Sequence, residues 1–221
     1  SFTSCSSLTN VTIGSAVTSI GGSAFASCTR LTSVTIGNSV TSVGGSAFSD
    51  CKSLTSVMIG NSVTNIGNYA FYSCTNLVTV VIPDSVTSVG EGAFSMCTSL
   101  MGVYFQGNAP GVGPDVFSVA NKVTVYYFPE TTGWGPTLGE RPTMLWNPQV
   151  QSGAGFGVRT NRFGFTITGT SNLVIVVESC TNLVNSDWSP VGTNTLTGGS
   201  SYFSDPQWTN HPARFYRLGS P

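Results

Sequence analysis

The chain has 221 residues, of which only 8% are charged, and it carries 31 serines, 28 threonines and a single histidine. A net charge of −1 excludes a basic nucleic-acid-binding surface and electrostatic docking onto anionic membranes, because both need clustered cations. No stretch approaches the roughly 18 consecutive apolar residues of a membrane-spanning helix, and a hydrophobic content of 40% argues against disorder.

A 23-residue repeat organises the first half of the chain. Three columns of identical residues, each spaced by 23, carry the register: Cys5, Cys28, Cys51, Cys74 and Cys97; Phe2, Phe25, Phe48, Phe71, Phe94 and Phe117; Leu8, Leu31, Leu54, Leu77 and Leu100. A fixed period of about 20 to 50 residues is typical of a solenoid, in which stacked coils bury a core that no single coil can form.

Each repeat predicts one coil of the chain. Val34-Thr35-Ile36 alternates as a strand does, and Gly37-Asn38 favours a turn because both residues tolerate positive φ. Ser46-Ala47-Phe48-Ser49 predicts a helical turn with Ser46 as its N-cap. Neighbouring strands are expected to form a parallel sheet.

The register predicts a solenoid over residues 1–130. The segment 131–150, rich in Pro, Gly and Trp, is interpreted as its C-terminal cap.

The junctions I/V-G-x-x-A-F-x-x-C-x-x-L, as in Ile20-Gly21 through Cys28 to Leu31, resemble those of the BspA-type leucine-rich repeat. The resemblance implies a mostly β leucine-rich-repeat solenoid with short helical turns in a non-enzymatic bacterial protein, secreted or on the cell surface. Some members of such families are implicated in adhesion.

Residues 151–221 lack the period and predict a small antiparallel β-sandwich-like domain. The run 151–155 indicates a linker, and five strand-like segments follow: 163–168, 173–178, 188–191, 201–203 and 213–218. Short strands separated by turn signals are typical of small all-β domains. This region resembles C-terminal tail modules of secreted repeat proteins from environmental bacteria, which implies surface attachment or assembly.

The sequence predicts no catalytic, metal or cofactor site. The repeat cysteines lack the spacing of metal ligands, and we expect buried reduced thiols that pack as small apolar groups. Ser49-Asp50-Cys51-Lys52 matches an S-x-x-K nucleophile motif, but the other repeats lack the lysine. His211 is expected in a surface loop, and Gly153–Gly157 is interpreted as linker rather than as a nucleotide-binding loop.

One outward column of the predicted strands changes from hydroxyl to apolar and aromatic side chains along the solenoid. It is predicted to contain Thr12, Thr35, Met58, Val81, Tyr104 and Tyr127. We predict a binding face at Met58, Val81, Tyr104 and Tyr127 for an extracellular protein or glycan. The alternative is that the cap or the second domain folds over these residues.

The sequence begins in the middle of a repeat, and it shows no capping segment before the first coil. Either earlier repeats precede them, or a neighbouring subunit covers this end, because an open solenoid end exposes core and strand edges. The predicted assembly end comprises Phe2, Leu8, Val11 and Ile13. The predicted function is therefore surface binding together with head-to-tail self-assembly, and the alternative is a monomeric adhesin-like module.

Overall fold

A computed structural model describes residues 1–153, 155–184 and 187–221. The chain forms two compact units, Ser1–Leu145 and Trp146–Pro221, and both are built almost entirely from β-strands and turns. No helix in the described part of the chain is long and apolar enough to cross a membrane.

The first unit is a solenoid in which each full coil contributes one longer and one short strand. In chain order the strands are β1 (Asn10–Ile13), β2 (Ser19–Ile20), β3 (Ser33–Ile36), β4 (Ser42–Val43), β5 (Ser56–Met58), β6 (Asn65–Ile66), β7 (Thr79–Ile82), β8 (Ser88–Val89), β9 (Gly102–Phe105), β10 (Gly111–Val112), β11 (Thr124–Tyr127), β12 (Thr137–Leu138) and β13 (Arg141–Leu145).

These strands stack into parallel ladders, as the repeat predicts. The short strands form one uninterrupted sheet in the order β10-β8-β6-β4-β2. The longer strands form two sheets, β1-β3-β5 and β12-β13-β11-β9-β7, with no ladder pairing between β5 and β7. The solenoid is therefore continuous on one side and interrupted between its third and fourth coils on the other.

Pro83 lies at the interruption. In the first three coils this column holds glycine, at Gly14, Gly37 and Gly60. In the fifth coil Gln106 occupies it and donates its backbone N–H to the carbonyl group of Ile82 at 3.0 Å. Pro83 has no N–H, so it cannot donate the corresponding hydrogen bond to the preceding coil.

A third ladder of backbone hydrogen bonds joins the turns of neighbouring coils, and we call it the turn ladder. In the third coil the amide groups of Ser46, Phe48 and Asp50 donate to carbonyl groups of the next coil at 2.8 Å. Ser46 and Asp50 have left-handed φ values of 56° and 58°. The expected helical turn from Ser46 to Ser49 is therefore a series of turns, because left-handed residues cannot continue a right-handed helix, and Ser46 caps nothing.

Stacked phenylalanines and buried cysteines fill the solenoid core. Successive rings from Phe2 to Phe94 lie 5.3–5.4 Å apart and nearly parallel. Each buried repeat thiol donates to the phenylalanine carbonyl group 26 residues earlier, as Cys74 does to Phe48 at 3.3 Å. The predicted packing of these thiols in the core is confirmed, and the chain's cysteines are all free.

The predicted cap segment completes the solenoid with a strand of its own. Strand β13 pairs in parallel with β11 and antiparallel with β12. Trp134 stacks on Tyr127 with ring centroids 5.1 Å apart, and Arg141 donates to the carbonyl group of Phe117 at 3.0 Å. The first unit thus reaches Leu145, whereas residues 146–150 belong to the second unit.

The second unit consists of two antiparallel sheets. Its strands are β14 (Gln149–Gln151), β15 (Gly157–Arg159), β16 (Arg162–Thr168), β17 (Val174–Cys180), β18 (Ser189–Thr195), β19 (Ser200–Asp205) and β20 (Phe215–Gly219). Strand β16 pairs with β14, β15 and β19, and β17 pairs with β18 and β20. Aromatic contacts join the sheets, with Phe163 stacked on Tyr216 at 5.1 Å.

The five strands predicted in this unit are confirmed, with shifted ends. The predicted linker is wrong where it overlaps β14 at Gln151 and where the glycine-rich run reaches β15 at Gly157. Both short strands lack strong alternation, and they form because β16 offers them an edge to pair with. Ala154, also in the predicted linker, lies outside the described residues.

Candidate functional site

The candidate site is the outward surface of the longer strands, which we call the strand face. Cross-strand pairing aligns Thr12 with Thr35, Thr35 with Met58, and Val81 with Tyr104. These positions confirm the alternation expected from the sequence.

The sequence-based prediction that Tyr127 belongs to this column is wrong. Tyr126 is the residue that pairs with Tyr104, whereas Tyr127 pairs with Phe105 and packs on Trp134. Val123 of the last coil corresponds to Leu100 of the preceding coil, 23 residues earlier. One residue is missing between Val123 and the strand that follows it, so Thr124 takes the place of Gly102. A strict period of 23 misses this deletion, and a one-residue shift moves a side chain to the other side of a strand.

Tyr104 and Tyr126 form a stacked pair at one end of the strand face. Their ring centroids are 4.6 Å apart, at an interplanar angle of 13°. Tyr104 is only 3% exposed, because its ring lies back along its strand over Gly102. Burial raises the pKa of both phenols, so both are neutral at physiological pH. Tyr104 is therefore a buried support of this face rather than an exposed contact residue.

Met58 is the most accessible apolar side chain of the column. It is 64% exposed and lines a groove of about 300 Å³ together with Val57, Val81, Pro83 and Gln106. The groove lies where β5 and β7 fail to pair. Val57 belongs to the inward column, yet it is only half-buried, whereas Val34 and Val80 on neighbouring coils are fully buried. The interruption thus opens the edge of the core to solvent.

Among the residues that the structure describes, no charged residue lines this groove. Its polar groups are neutral and include the side chains of Ser56, Asn61 and Gln106. An apolar surface with a neutral polar rim is suited to partners that bury apolar groups without paired charges.

Two further exposed apolar residues adjoin the strand face and were missed from the sequence. Val78 is 43% exposed and Met101 is 57% exposed, and each immediately precedes a strand of the face. Earlier coils have threonine at the same position, where Thr55 donates its hydroxyl to the carbonyl group of Thr32 at 3.1 Å. The sequence shows this change from threonine to valine and methionine along the column, and it could have been used to predict the two exposed apolar residues.

The predicted assembly residues lie on the first coil. Phe2 is 57% exposed although its ring stacks on Phe25 at 5.4 Å. Leu8, Val11 and Ile13 are partly buried and pack against the core. The structure therefore places all four on the coil that begins at Ser1.

The other candidate reactive residues form no recognisable catalytic arrangement. His211 is exposed, as expected, and lines a surface pocket with Asp187 and Cys180. Asp50 accepts a hydrogen bond from Ser49, and Lys52 is exposed. Among the described residues, no group of three or more His, Cys, Asp or Glu side chains could hold a metal ion.

The buried repeat cysteines have raised pKa values and low reactivity. Burial raises the pKa of Cys51 and that of Cys97 to about 12, and it holds the pKa of Cys74 well above its ordinary value. Because the thiolate is the reactive form, these thiols are protonated and unreactive near neutral pH.

Comparison with protein families identifies the repeat. The family described as BspA type Leucine rich repeat region matches residues 1–124 in six copies. A comparison with curated proteins finds no match.

Several solved structures resemble the solenoid. The T. pallidum leucine rich repeat protein TpLRR is 26% identical over 54% of this chain and 58% of that chain, with a TM-score of 0.51. A leucine rich cell surface protein from Faecalibacterium prausnitzii is 35% identical over 54% of this chain and 39% of that chain, with a TM-score of 0.42. The chain thus spans just over half the length of TpLRR.

Proposed function

The chain belongs to the BspA-type leucine-rich repeat family, and from this premise we propose that its solenoid is an extracellular, adhesin-like binding module. Its binding surface is the strand face, centred on the Met58 groove, and its partner is an extracellular protein or glycan. The function is binding rather than catalysis, and it requires no cofactor.

The main observation that supports this proposal is the exposed groove at Met58. In the first two coils the outward column presents hydroxyl groups, at Thr12 and Thr35. At the β5–β7 interruption the surface is instead apolar, concave and uncharged. Unbranched methionine side chains adapt to different partner surfaces, which suits Met58 to the centre of such a contact.

We also propose that the chain is secreted or displayed on the cell surface. Its membership of the BspA-type leucine-rich repeat family supports this localisation. Fractionation of cells that express the full natural gene tests this localisation directly.

The binding proposal is tested by screening the purified chain against immobilised extracellular matrix proteins and a glycan array. For any partner found, Met58→Ser is expected to weaken binding at least tenfold, because burial of a methionine side chain contributes about 1.5–3 kcal/mol. Met96→Ser is the matched control, since Met96 is an exposed methionine of the turn ladder. Equal binding by the two variants would contradict the proposal.

Head-to-tail self-assembly remains a prediction. Phe2 stacks on Phe25 and is exposed, so its ring is available to a second copy packed head to tail. Light scattering over a range of concentrations, together with electron microscopy, tests this assembly. Filaments that Phe2→Ser abolishes would support assembly, whereas monomers at every concentration would contradict it.

A further inference from the structure

Methionine is concentrated on the strand face. The sequence holds four methionines, Met58, Met96, Met101 and Met144. Met58 lies in the outward column, Met101 immediately precedes β9, and Met144 continues the column because it pairs with Tyr126. Three of the four methionines thus lie on or beside the proposed binding surface, whereas Met96 lies in the turn ladder.

These methionine side chains differ in their access to solvent. Met58 and Met101 are each more than half exposed, Met96 is 37% exposed, and Met144 is partly buried. Met58 also borders the groove at the β5–β7 interruption. A small oxidant dissolved in water therefore reaches Met58 and Met101 more readily than Met144.

The thiols that could compete for an oxidant lie in the core. Cys28, Cys51, Cys74 and Cys97 are fully buried, and burial raises the pKa of each of these thiols. A thiol reacts as the thiolate, whereas the thioether of methionine has no proton to lose. Cys5, on the first coil, is the repeat cysteine that is only partly buried. An oxidant in solution is therefore expected to act on the exposed methionines before the buried cysteines.

Oxidation changes a methionine from an apolar to a polar side chain. In the reaction with hydrogen peroxide, the sulfur lone pair forms an S–O bond, the O–O bond breaks and water leaves. Sulfur loses two electrons, and the peroxide gains them. The sulfoxide is polar and accepts hydrogen bonds, so it disrupts contacts that depend on an apolar thioether.

The solenoid has room for polar groups at both exposed positions. Thr35 pairs with Met58 in the outward column, and Thr55 occupies the position of Met101 two coils earlier. The core columns are instead filled by phenylalanine, leucine and cysteine. Oxidation of Met58 and Met101 is therefore expected to alter the surface while the fold is kept.

We propose that Met58 and Met101 are oxidation sites that control the strand face: a peroxide converts both side chains to sulfoxides, and the strand face then binds its partner weakly. This proposal rests on the proposed function, because it describes the regulation of the same surface. Its chemistry involves only thioether sulfur and the peroxide.

Peptide mass mapping of the full chain after treatment with hydrogen peroxide tests the choice of sites. Met58 and Met101 are expected to gain one oxygen atom faster than Met144, with the four buried repeat thiols unmodified. Thermal unfolding of the oxidised chain should match that of the untreated chain. Faster oxidation of Met144 or of a buried thiol, or unfolding of the chain on oxidation, would overturn the proposal.

Retention on a phenyl-agarose column in high salt tests the change in surface polarity without any partner. The unchanged chain is expected to elute earlier after peroxide treatment. Met58→Leu with Met101→Leu should lose most of this shift, because leucine cannot form a sulfoxide. Met96→Leu is the control and should keep most of the shift. Equal shifts in the unchanged chain and the double variant would overturn the proposal.

Affinity for a partner found by screening tests the control of binding. Peroxide is removed with catalase before the partner is added, and each variant is compared with its own untreated sample. Oxidation is expected to weaken binding at least tenfold in the unchanged chain and in Met96→Leu. In the Met58→Leu, Met101→Leu double variant, oxidation should leave the affinity unchanged. Methionine sulfoxide reductases with a dithiol should restore binding by the unchanged chain, since the oxygen then leaves as water and the dithiol becomes a disulfide.

Two outcomes separate this proposal from the proposed function. If Met58→Ser weakens binding but complete oxidation of Met58 and Met101 does not, the oxidation proposal is overturned and the binding surface stands. If Met58→Ser binds as well as the unchanged chain, the proposed function is contradicted, and the oxidation proposal with it.

Discussion

Tyr104 and Tyr126 stack across neighbouring coils with their ring centroids 4.6 Å apart, and the ring of Tyr104 lies over Gly102. A Cβ on Gly102 would lie 2.7 Å from Cε2 of Tyr104, so only glycine leaves room for the ring in this position. The stack forms one end of the strand face and depends on a glycine in the adjacent column.

Gly102→Ala is therefore expected to displace the Tyr104 ring from the stack. Loss of burial should lower the pKa of Tyr104 towards the ordinary tyrosine value of about 10. Spectrophotometric titration of the phenols measures this shift. Gly111→Ala is the control, because its Cβ would meet only the carbonyl oxygen of Thr87 at 3.9 Å. An unchanged titration curve in Gly102→Ala would contradict the packing described.

Pro83→Gly is expected to close the interruption between β5 and β7. Glycine supplies the backbone N–H that Pro83 lacks, so the strand ladder should extend through Val81. Amide hydrogen exchange at Val81 is expected to slow, and binding of any strand-face partner should weaken as the groove closes. Pro114→Gly is the control, since Pro114 is exposed and lies in the turn ladder. Unchanged exchange at Val81 would show that Pro83 does not cause the interruption.

The solenoid is expected to lose stability in alkaline solution. Burial raises the pKa of Cys51 and Cys97 in the folded chain from 9.0 to about 12. A raised folded-state pKa contributes stability that is fully present below the unfolded value and is lost as pH rises through the folded value. Denaturant unfolding should thus give a constant free energy of unfolding near pH 7 and a fall between about pH 9 and 12.

Cysteine variants separate the thiol contribution from that of the tyrosines, whose raised pKa values act in the same direction. Cys51→Ala with Cys97→Ala should reduce the alkaline loss of stability. Alanine is acceptable at this column because Ala120 already occupies it, fully buried. An alkaline loss identical to that of the unchanged chain would contradict a thiol contribution.

Gly139→Ala is expected to destabilise the C-terminal end of the solenoid by about 1–3 kcal/mol. Gly139 has a left-handed φ of 54°, and its Cβ would collide with Cγ1 of Val116. Thermal and denaturant unfolding measure the loss. Gly135→Ala serves as the control in the same segment, because its Cβ would lie 3.7 Å from the nearest atom. Equal stability of the two variants would contradict the close packing of the cap.

Periodic residues made the solenoid predictable, whereas local departures from the period did not. The Cys, Phe and Leu columns predicted the stacked coils, because each of them repeats one residue type through the core. The period misplaced Tyr127, since one missing residue before Thr124 changes the side of every following side chain. The groove was missed because it lies between two neighbouring strands that do not pair, which the sequence of a single repeat does not reveal.

Strands β14 and β15 illustrate a different limit of sequence reasoning. Their residues are glycine-rich or weakly alternating, and they become strands only by pairing with β16. Edge strands of this kind are determined by tertiary contacts more than by local propensity.

The strand face around Met58 is the proposed binding surface. Hydrogen–deuterium exchange of the free and partner-bound chain locates the contact, with peptides that resolve β5 and β7. Binding at this face is expected to slow exchange at Ser56–Ile59 and around Val81, with little change in the turns around Met96. Protection confined to the turn ladder or to the second unit, with β5 and β7 unchanged, would contradict it.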